Sequence, residues 1–302
     1  MTMDYKLHHF GLVCQDVEKS LATYCERLGN QLTSRWYNRG LFDVACAGNG
    51  TDVTLELVGR PFMPYEEAHI ARHGYSINHI SFLVDDADGA FEELEAQGVQ
   101  VAWEPQDWLF IRRCGFYDED GLLFELFSYL TPLLLAAPDP GALTGQNDLI
   151  LDHVSILTPD LRRAQRFYTE KLGLKTAYEC IEDEGGFVML IDPLFDFQAH
   201  RFMLEIIGPP HLEPREVELL EKRGACYDHL CYIAGDVHAA WQEAIERGVE
   251  GGAAPIVYEK YGIRVAWLKD ADGNDVEIMD PIPDNFLEMA LQAEEPLNVA
   301  QM

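Results

Sequence analysis

Residues 7–29, LHHFGLVCQDVEKSLATYCERLG, open as a short apolar run and then meet Asp16, whose side chain suits the cap of a helix start. Leu21, Tyr24 and Leu28 recur at helical spacing, and Gly29 suits the left-handed residue that ends a helix. The same grammar returns as NHISFLVDDADGAFEELEAQGVQV (78–101), DHVSILTPDLRRAQRFYTEKLGLK (152–175) and DHLCYIAGDVHAAWQEAIERGVEG (228–251). Each copy sets a histidine seven residues before an aspartate: His9/Asp16, His79/Asp86, His153/Asp160 and His229/Asp236. Each helix closes on a glycine 19 or 20 residues past its histidine, at Gly29, Gly98, Gly173 and Gly248. Spacing repeated four times means one supersecondary unit used four times.

After each glycine come stretches with strand character, among them FDVACAG, TDVTLELVG, FVMLID, RFMLEIIG and RVAWLK. The unit therefore reads as a strand, a helix and then two or three strands. YDEDGLLFELF and LKDADGNDVEIM are matching hairpins with Asp120-Gly121 and Asp272-Gly273 at the turn, the residues a tight primed turn favours. The chain divides into two modules, residues 5–130 and 149–283, each near the usual size of a domain. TPLLLAAPDPGALTGQND, residues 131–148, reads as the linker, and 284–302 as a tail with a short helix and no legible function.

The 302 residues, 48% hydrophobic, suffice for two packed cores. No apolar run is long enough to span a bilayer and no basic-then-apolar leader precedes residue 9, so a soluble cytoplasmic protein is expected. Seven cysteines without a C-x-x-C pair read as reduced, packed thiols. With 22 basic and 52 acidic side chains the net charge is −30, which repels nucleic acid and anionic membranes.

Each module carries two acids inside apolar strands: Glu56 in VTLELVG and Glu125 in LLFELF, then Glu205 in FMLEIIG and Glu277 in NDVEIMD. Burying a lone carboxylate among such neighbours is costly unless something pairs with it. The order is His, Glu, His, Glu in both modules, at 9, 56, 79, 125 and at 153, 205, 229, 277. Two imidazoles and two carboxylates gathered on strands make a site for a divalent transition metal (Fe, Zn, Mn, Co or Ni), with positions open to water or substrate. A single histidine on an apolar strand is more often a hydrogen-bonded core residue; the joint recurrence of both types in two modules favours the metal.

These motifs resemble the vicinal oxygen chelate superfamily, which includes glyoxalase I, methylmalonyl-CoA epimerase, bleomycin- and fosfomycin-resistance proteins and type I extradiol dioxygenases. The resemblance implies an α+β fold: four βαβββ units forming two glyoxalase-like modules with cupped, incomplete β-barrels. It also implies the metal ligands, which are His9, Glu56, His79 and Glu125, then His153, Glu205, His229 and Glu277. If units are exchanged between modules, the sets become His9, Glu56, His229, Glu277 and His79, Glu125, His153, Glu205; spacing does not choose between these arrangements.

The function implied is a metal-dependent lyase or isomerase of glyoxalase or epimerase type. Such an enzyme chelates a small oxygenated substrate through neighbouring oxygens and stabilises an enolate, with Glu56, Glu125, Glu205 or Glu277 moving the α-proton. LEKRGACYDHLCYIAGDV is similar to a methylmalonyl-CoA epimerase segment. LVGRPFMPYEE after Glu56 lacks the tyrosine/asparagine/tryptophan stretch that handles glutathione, and the acidic surface speaks against coenzyme A. The alternative is an Fe(II)-dependent ring-cleaving dioxygenase, extradiol or hydroquinone-type, using His153/His229/Glu277 or His9/His229/Glu277. A second alternative is a non-catalytic small-molecule binding or resistance protein. Candidate substrate contacts are His8, Tyr258 and Tyr261 for protons, and Arg112 and Arg264, each 13 residues before a glutamate, for an anionic group. His69, His73, His200, His211 and His238 read as loop or helix-surface residues, and a homodimer is compatible with such modules.

Overall fold

The computed structural model describes residues 5–38, 42–48, 53–60, 62–130, 149–181, 186–195, 202–259, 262–293 and 295–299. The linker expected over 131–148 lies outside them.

The first unit runs β1 (Lys6–Val13), α1 (Val17–Leu21), a π-helical continuation (Ala22–Arg27), β2 (Gln31–Asn38), β3 (Phe42–Gly48) and β4 (Thr54–Gly59). Helix α2 (Pro64–His73) leads to β5 (Ile77–Leu83), α3 (Ala87–Ala96), β6 (Gln100–Trp108), β7 (Ile111–Tyr117) and β8 (Leu123–Tyr129). The second module repeats this with β9 (Ile150–Leu157), α4 (Leu161–Lys171), β10 (Lys175–Cys180), β11 (Phe187–Ile191) and β12 (Met203–Ile207). It continues with α5 (Pro214–Arg223), β13 (Cys226–Ile233), α6 (Val237–Glu246), β14 (Glu250–Gly251), β15 (Ile256–Tyr258), β16 (Ile263–Lys269) and β17 (Asp275–Met279). The tail supplies α7 (Asp284–Gln292) and β18 (Leu297–Asn298), which pairs with β10.

The four aspartates act as caps: Asp16 accepts from Glu18 N and Lys19 N, Asp86 from Asp88 N, Asp160 from Arg163 N and Asp236 from Ala239 N. The closing glycines sit at φ values of 67° to 87°, a conformation that charges any other side chain a steric penalty.

Each module forms its own open sheet, in the order β2-β3-β4-β1-β5-β8-β7-β6 and β14-β16-β17-β13-β9-β12-β11-β10-β18. The fold is α+β, built of four βαβββ units, with sheets that cup without closing. Phe10 and Leu12 of β1 point to the helix side and are fully buried, whereas His9 and Gly11 point into the cup. Because both faces are covered, these strands read as continuous apolar runs rather than as alternating ones. Among the described residues no helix is long and apolar enough to cross a membrane.

One core runs through both modules. Phe10 stacks on Phe202 at 5.7 Å between ring centroids, and Phe124 meets Phe167 edge-on at 5.8 Å. The polar contacts are pseudo-symmetric. Tyr24 Oη donates to Asp270 Oδ2 at 2.9 Å, and Tyr168 Oη donates to Asp118 Oδ2 at 3.0 Å. Each tyrosine reaches from one module's first helix to the aspartate that orders the other module's hairpin turn.

Phenylalanine at Tyr24 or Tyr168 removes a donor from a buried carboxylate, so each variant should lose about 1.5–3 kcal/mol in urea unfolding. Burial pushes the Asp118 carboxyl up to about 6, against the hydrogen bonds it accepts from Leu122 N, Tyr168 and Asp120 N. A raised acid binds its proton more tightly in the folded chain. Its stabilising contribution is complete below the ordinary value of 3.8 and is lost as pH rises through about 6. The thermal midpoint of Asp118→Asn should therefore fall less than the parent's between pH 4 and 7.

Candidate metal centres

The candidate residues of each module lie on four neighbouring strands. Glu56, His9, His79 and Glu125 sit on β4, β1, β5 and β8; Glu277, His229, His153 and Glu205 sit on β17, β13, β9 and β12. Pairing is within modules, so the exchanged sets and the His9/His229/Glu277 triad are not assembled. In register, Gly11 of β1 lies opposite both Glu56 and His79. A Cβ there would fall 2.1 Å from the His79 ring, so glycine is what lets that imidazole lie across the strand.

Each histidine is preceded by a residue at which the strand register shifts, and that residue holds the ring. His8 shares a 2.9 Å hydrogen bond with His9 Nδ1, and Asn78 Oδ1 lies 3.1 Å from His79 Nδ1. Asp152 Oδ2 is 2.9 Å from His153 Nδ1, and Asp228 Oδ2 is 2.9 Å from His229 Nδ1. With Nδ1 engaged, every ring turns Nε2 into the cup. All four Nε2 atoms are buried without a hydrogen-bond partner among the described residues, as is Glu205 Oε2.

In the second module His153 Nε2 lies 3.6 Å from Glu205 and 3.5 Å from Glu277, and His229 Nε2 lies 3.4 Å from each. These separations are long for hydrogen bonds and short enough for one ion to be shared. In the first module His9 Nε2 is 3.9 Å from Glu56 and 3.8 Å from Glu125, and His79 Nε2 is 3.6 Å from Glu56. Ligand atoms of His9, Glu56 and His79 converge, as do those of His153, Glu205 and His229 and of His153, Cys231 and Glu277. Orphaned imidazole nitrogens beside carboxylates fit a borderline divalent ion such as Mn, Fe, Co, Ni or Zn.

Electrostatics separate the two cups. Burial pushes Glu56 up to about 8, with Glu125 adding to the rise, and lowers His79 to about 4. Burial, together with His8, His79 and Arg113, holds His9 well below its usual range. In the second module burial opposes the charge on His153 and His229, yet Asp152 or Asp228 together with Glu277 outweigh it and lift both to about 10. Burial raises Glu205, whereas Glu277 is held low by the two imidazoles despite its burial.

The proposed substrate contacts fare unevenly. Arg112 is not in the cup: it faces Ser128 across the ladder and pairs with Asp88 at 2.8 Å and Asp107 at 3.0 Å. Its neighbour Arg113 points inward, 8% exposed, and donates to Glu125 Oε2 at 3.0 Å. The signal for Arg113 was strand parity, because Gly115 lies opposite Glu125 and Arg113 shares its face. Arg264 likewise lies on the outer face, bonded through its backbone N–H to Asp280. His8 supports His9 and lies 3.4 Å from Tyr129 Oη. Tyr258 lines the cavity and donates to Glu213 at 3.2 Å; Tyr261 and His200 lie outside the described residues. His73 is buried on α2 rather than on the surface, and His211 lines the cavity.

The second-module cup opens into a cavity of about 1070 Å³. His153, Glu205, His229 and Glu277 contribute to its lining, and Tyr178, Phe187, Val265, Trp267 and Phe286 add apolar surface. The tail closes one side through Phe286 and Val299, a role no sequence pattern announced.

The chain belongs to the glyoxalase/bleomycin resistance protein/dioxygenase superfamily, whose family profile matches residues 6–126 and 150–278. It is 32% identical over 124 residues to the uncharacterized protein YwkD of Bacillus subtilis (strain 168), a match covering 40% of this chain and 94% of the relative. It is 34% identical over 125 residues to the uncharacterized protein YaeR of Escherichia coli (strain K12), covering 40% of this chain and 95% of that one. These relatives are one module long. Among solved structures, a triple mutant of 4-hydroxymandelate synthase from Streptomyces coelicolor aligns with TM-score 0.65 at 15% identity, over 92% of this chain and 93% of that one. The 2,3-dioxygenase LapB from Pseudomonas sp. KL28 gives 0.63 at 17% identity, over 99% and 98%. The Mn(II)-bound glyoxalase from Novosphingobium aromaticivorans gives 0.59 at 18% identity, over 93% and 83%. At such identities the likeness shows the fold.

Asparagine at Asp152 or Asp228 keeps a hydrogen bond to Nδ1 but removes the charge behind it. Each variant should bind Mn(II) or Co(II) about 10–100-fold more weakly with unchanged far-UV circular dichroism.

Proposed function

We propose that this protein is a divalent-metal-dependent enzyme of the lyase or isomerase kind that shifts a proton next to a carbonyl or hydroxyl carbon. The observation that carries the reading is the second-module square, two imidazole Nε2 atoms each 3.4–3.6 Å from two carboxylates. A facial triad needs two histidines and one carboxylate; a fourth acidic group at equal reach favours proton transfer over oxygen activation.

A bound ion would supply Lewis acidity toward neighbouring substrate oxygens and stabilise developing enolate charge. The remaining work falls to the chain. His153 and His229 are held by Asp152 and Asp228 so that both Nε2 atoms face one point. Glu205 or Glu277 accepts the α-proton and returns it, in a cavity whose wall includes the apolar side chains of Val265, Trp267 and Phe286. The size of the cavity and its aromatic lining support a small organic substrate with an apolar body beside its oxygen pair.

The test is solvent exchange. Metal-loaded protein in deuterium oxide should place deuterium at the α-carbon of α-hydroxy or α-keto substrates without consuming oxygen. Glu205→Gln and Glu277→Gln should each slow this by about 10²–10⁴-fold. Oxygen uptake with catechols or hydroquinones, without such exchange, would replace this reading with ring cleavage.

A further inference from the structure

We propose that the two cups are not equivalent: the divalent ion belongs to the second module, and in the first the guanidinium of Arg113 serves as a resident cation in its place. This rests on the metal-dependent reading of the second-module site.

The position is set by register. Gly115 faces Glu125 on β7 and β8 as Trp267 faces Glu277 on β16 and β17, so Arg113 occupies the place of Val265. Its guanidinium carbon lies 4.7 Å from the centroid of the Trp108 ring and 5.7 Å from that of Trp103. Held there, it donates to Glu125 Oε2 at 3.0 Å, while Ser81 Oγ donates to Glu125 Oε1 at 3.2 Å. Both oxygens of the fourth candidate ligand are thus engaged. In the second module the Cys231 thiol takes the place of Ser81 beside Glu277, and Val265 takes the place of Arg113, so no guanidinium engages Glu277 there.

Charge separates the cups in the same direction. With every imidazole counted as neutral, the form in which it ligates a metal, two carboxylates against one guanidinium leave a formal charge of −1 around the first histidine pair. Around the second, Glu205, Glu277, Asp152 and Asp228 against Arg215 leave −3. Glu66 and Glu216 stand at matching helix starts and leave the difference unchanged. A dication in the first cup would meet a buried guanidinium bonded to one of its own ligands, an arrangement of like charges that a low-dielectric site penalises strongly. The guanidinium cannot relieve this by losing its proton.

The experiment is titration of the chelator-treated full-length chain with Co(II), followed by visible absorption and elemental analysis. The wild-type chain should bind one ion. His79→Gln should still bind one, whereas His229→Gln should lower affinity at least 100-fold. Arg113→Val, which copies the second module, should add a second ion per chain. Two ions of comparable affinity in the wild-type chain, loss of the ion in His79→Gln, or a folded Arg113→Val that still binds only one would each overturn the inference. No ion in the wild-type chain would overturn the metal-dependent reading itself, and this inference with it.

Discussion

Four strands side by side bury two imidazoles and two carboxylates on one concave face, and the rest of the molecule accommodates that demand. Polar groups removed from water need partners, and ionisable ones need charge balance as well. The chain meets half of the demand locally. A register shift before each histidine brings the preceding side chain onto Nδ1, which fixes each ring with a contact to its sequence neighbour. The other half, at Nε2, is left open in the cup. In the second cup, two open imidazole nitrogens beside two carboxylates form a donor set suited to one shared ion.

Duplication supplied one scaffold twice, and the two copies have diverged around the same four positions. In the second module carboxylates stand behind both histidines, and the cup gives onto a broad cavity with apolar walls. In the first, an imidazole and an amide stand behind the histidines, and a buried Arg113–Glu125 pair occupies one corner. Such a pair contributes little net stability once desolvation is counted, so its worth lies in what it does to the local field. The modules remain one body through a continuous core and two reciprocal tyrosine–aspartate bonds. Changes in one cup are therefore made against a rigid neighbour.

Much of this was legible in the chain. The four His-to-Asp intervals marked the strand-to-helix joints, because capping and helix termination are local and depend on residues a few positions apart. The eight candidate ligands were legible for a related reason: polar residues in apolar strands are conspicuous where burial is costly. Other features were not. Arg112 and Arg113 differ by one position, and only the ladder with β8 shows which faces Glu125. Likewise the tail carries no motif that announces its place on the cavity wall.

The sequence by itself determined the repeated unit, the two modules, and a pair of imidazoles with a pair of carboxylates in each, since these follow from short-range pattern and composition. Tertiary structure decided that each module closes on its own strands, that Arg113 rather than Arg112 enters the cup, and that the two cups differ in charge. Strand partnership and the parity of a face depend on register between segments tens of residues apart, and one bulge reverses that parity.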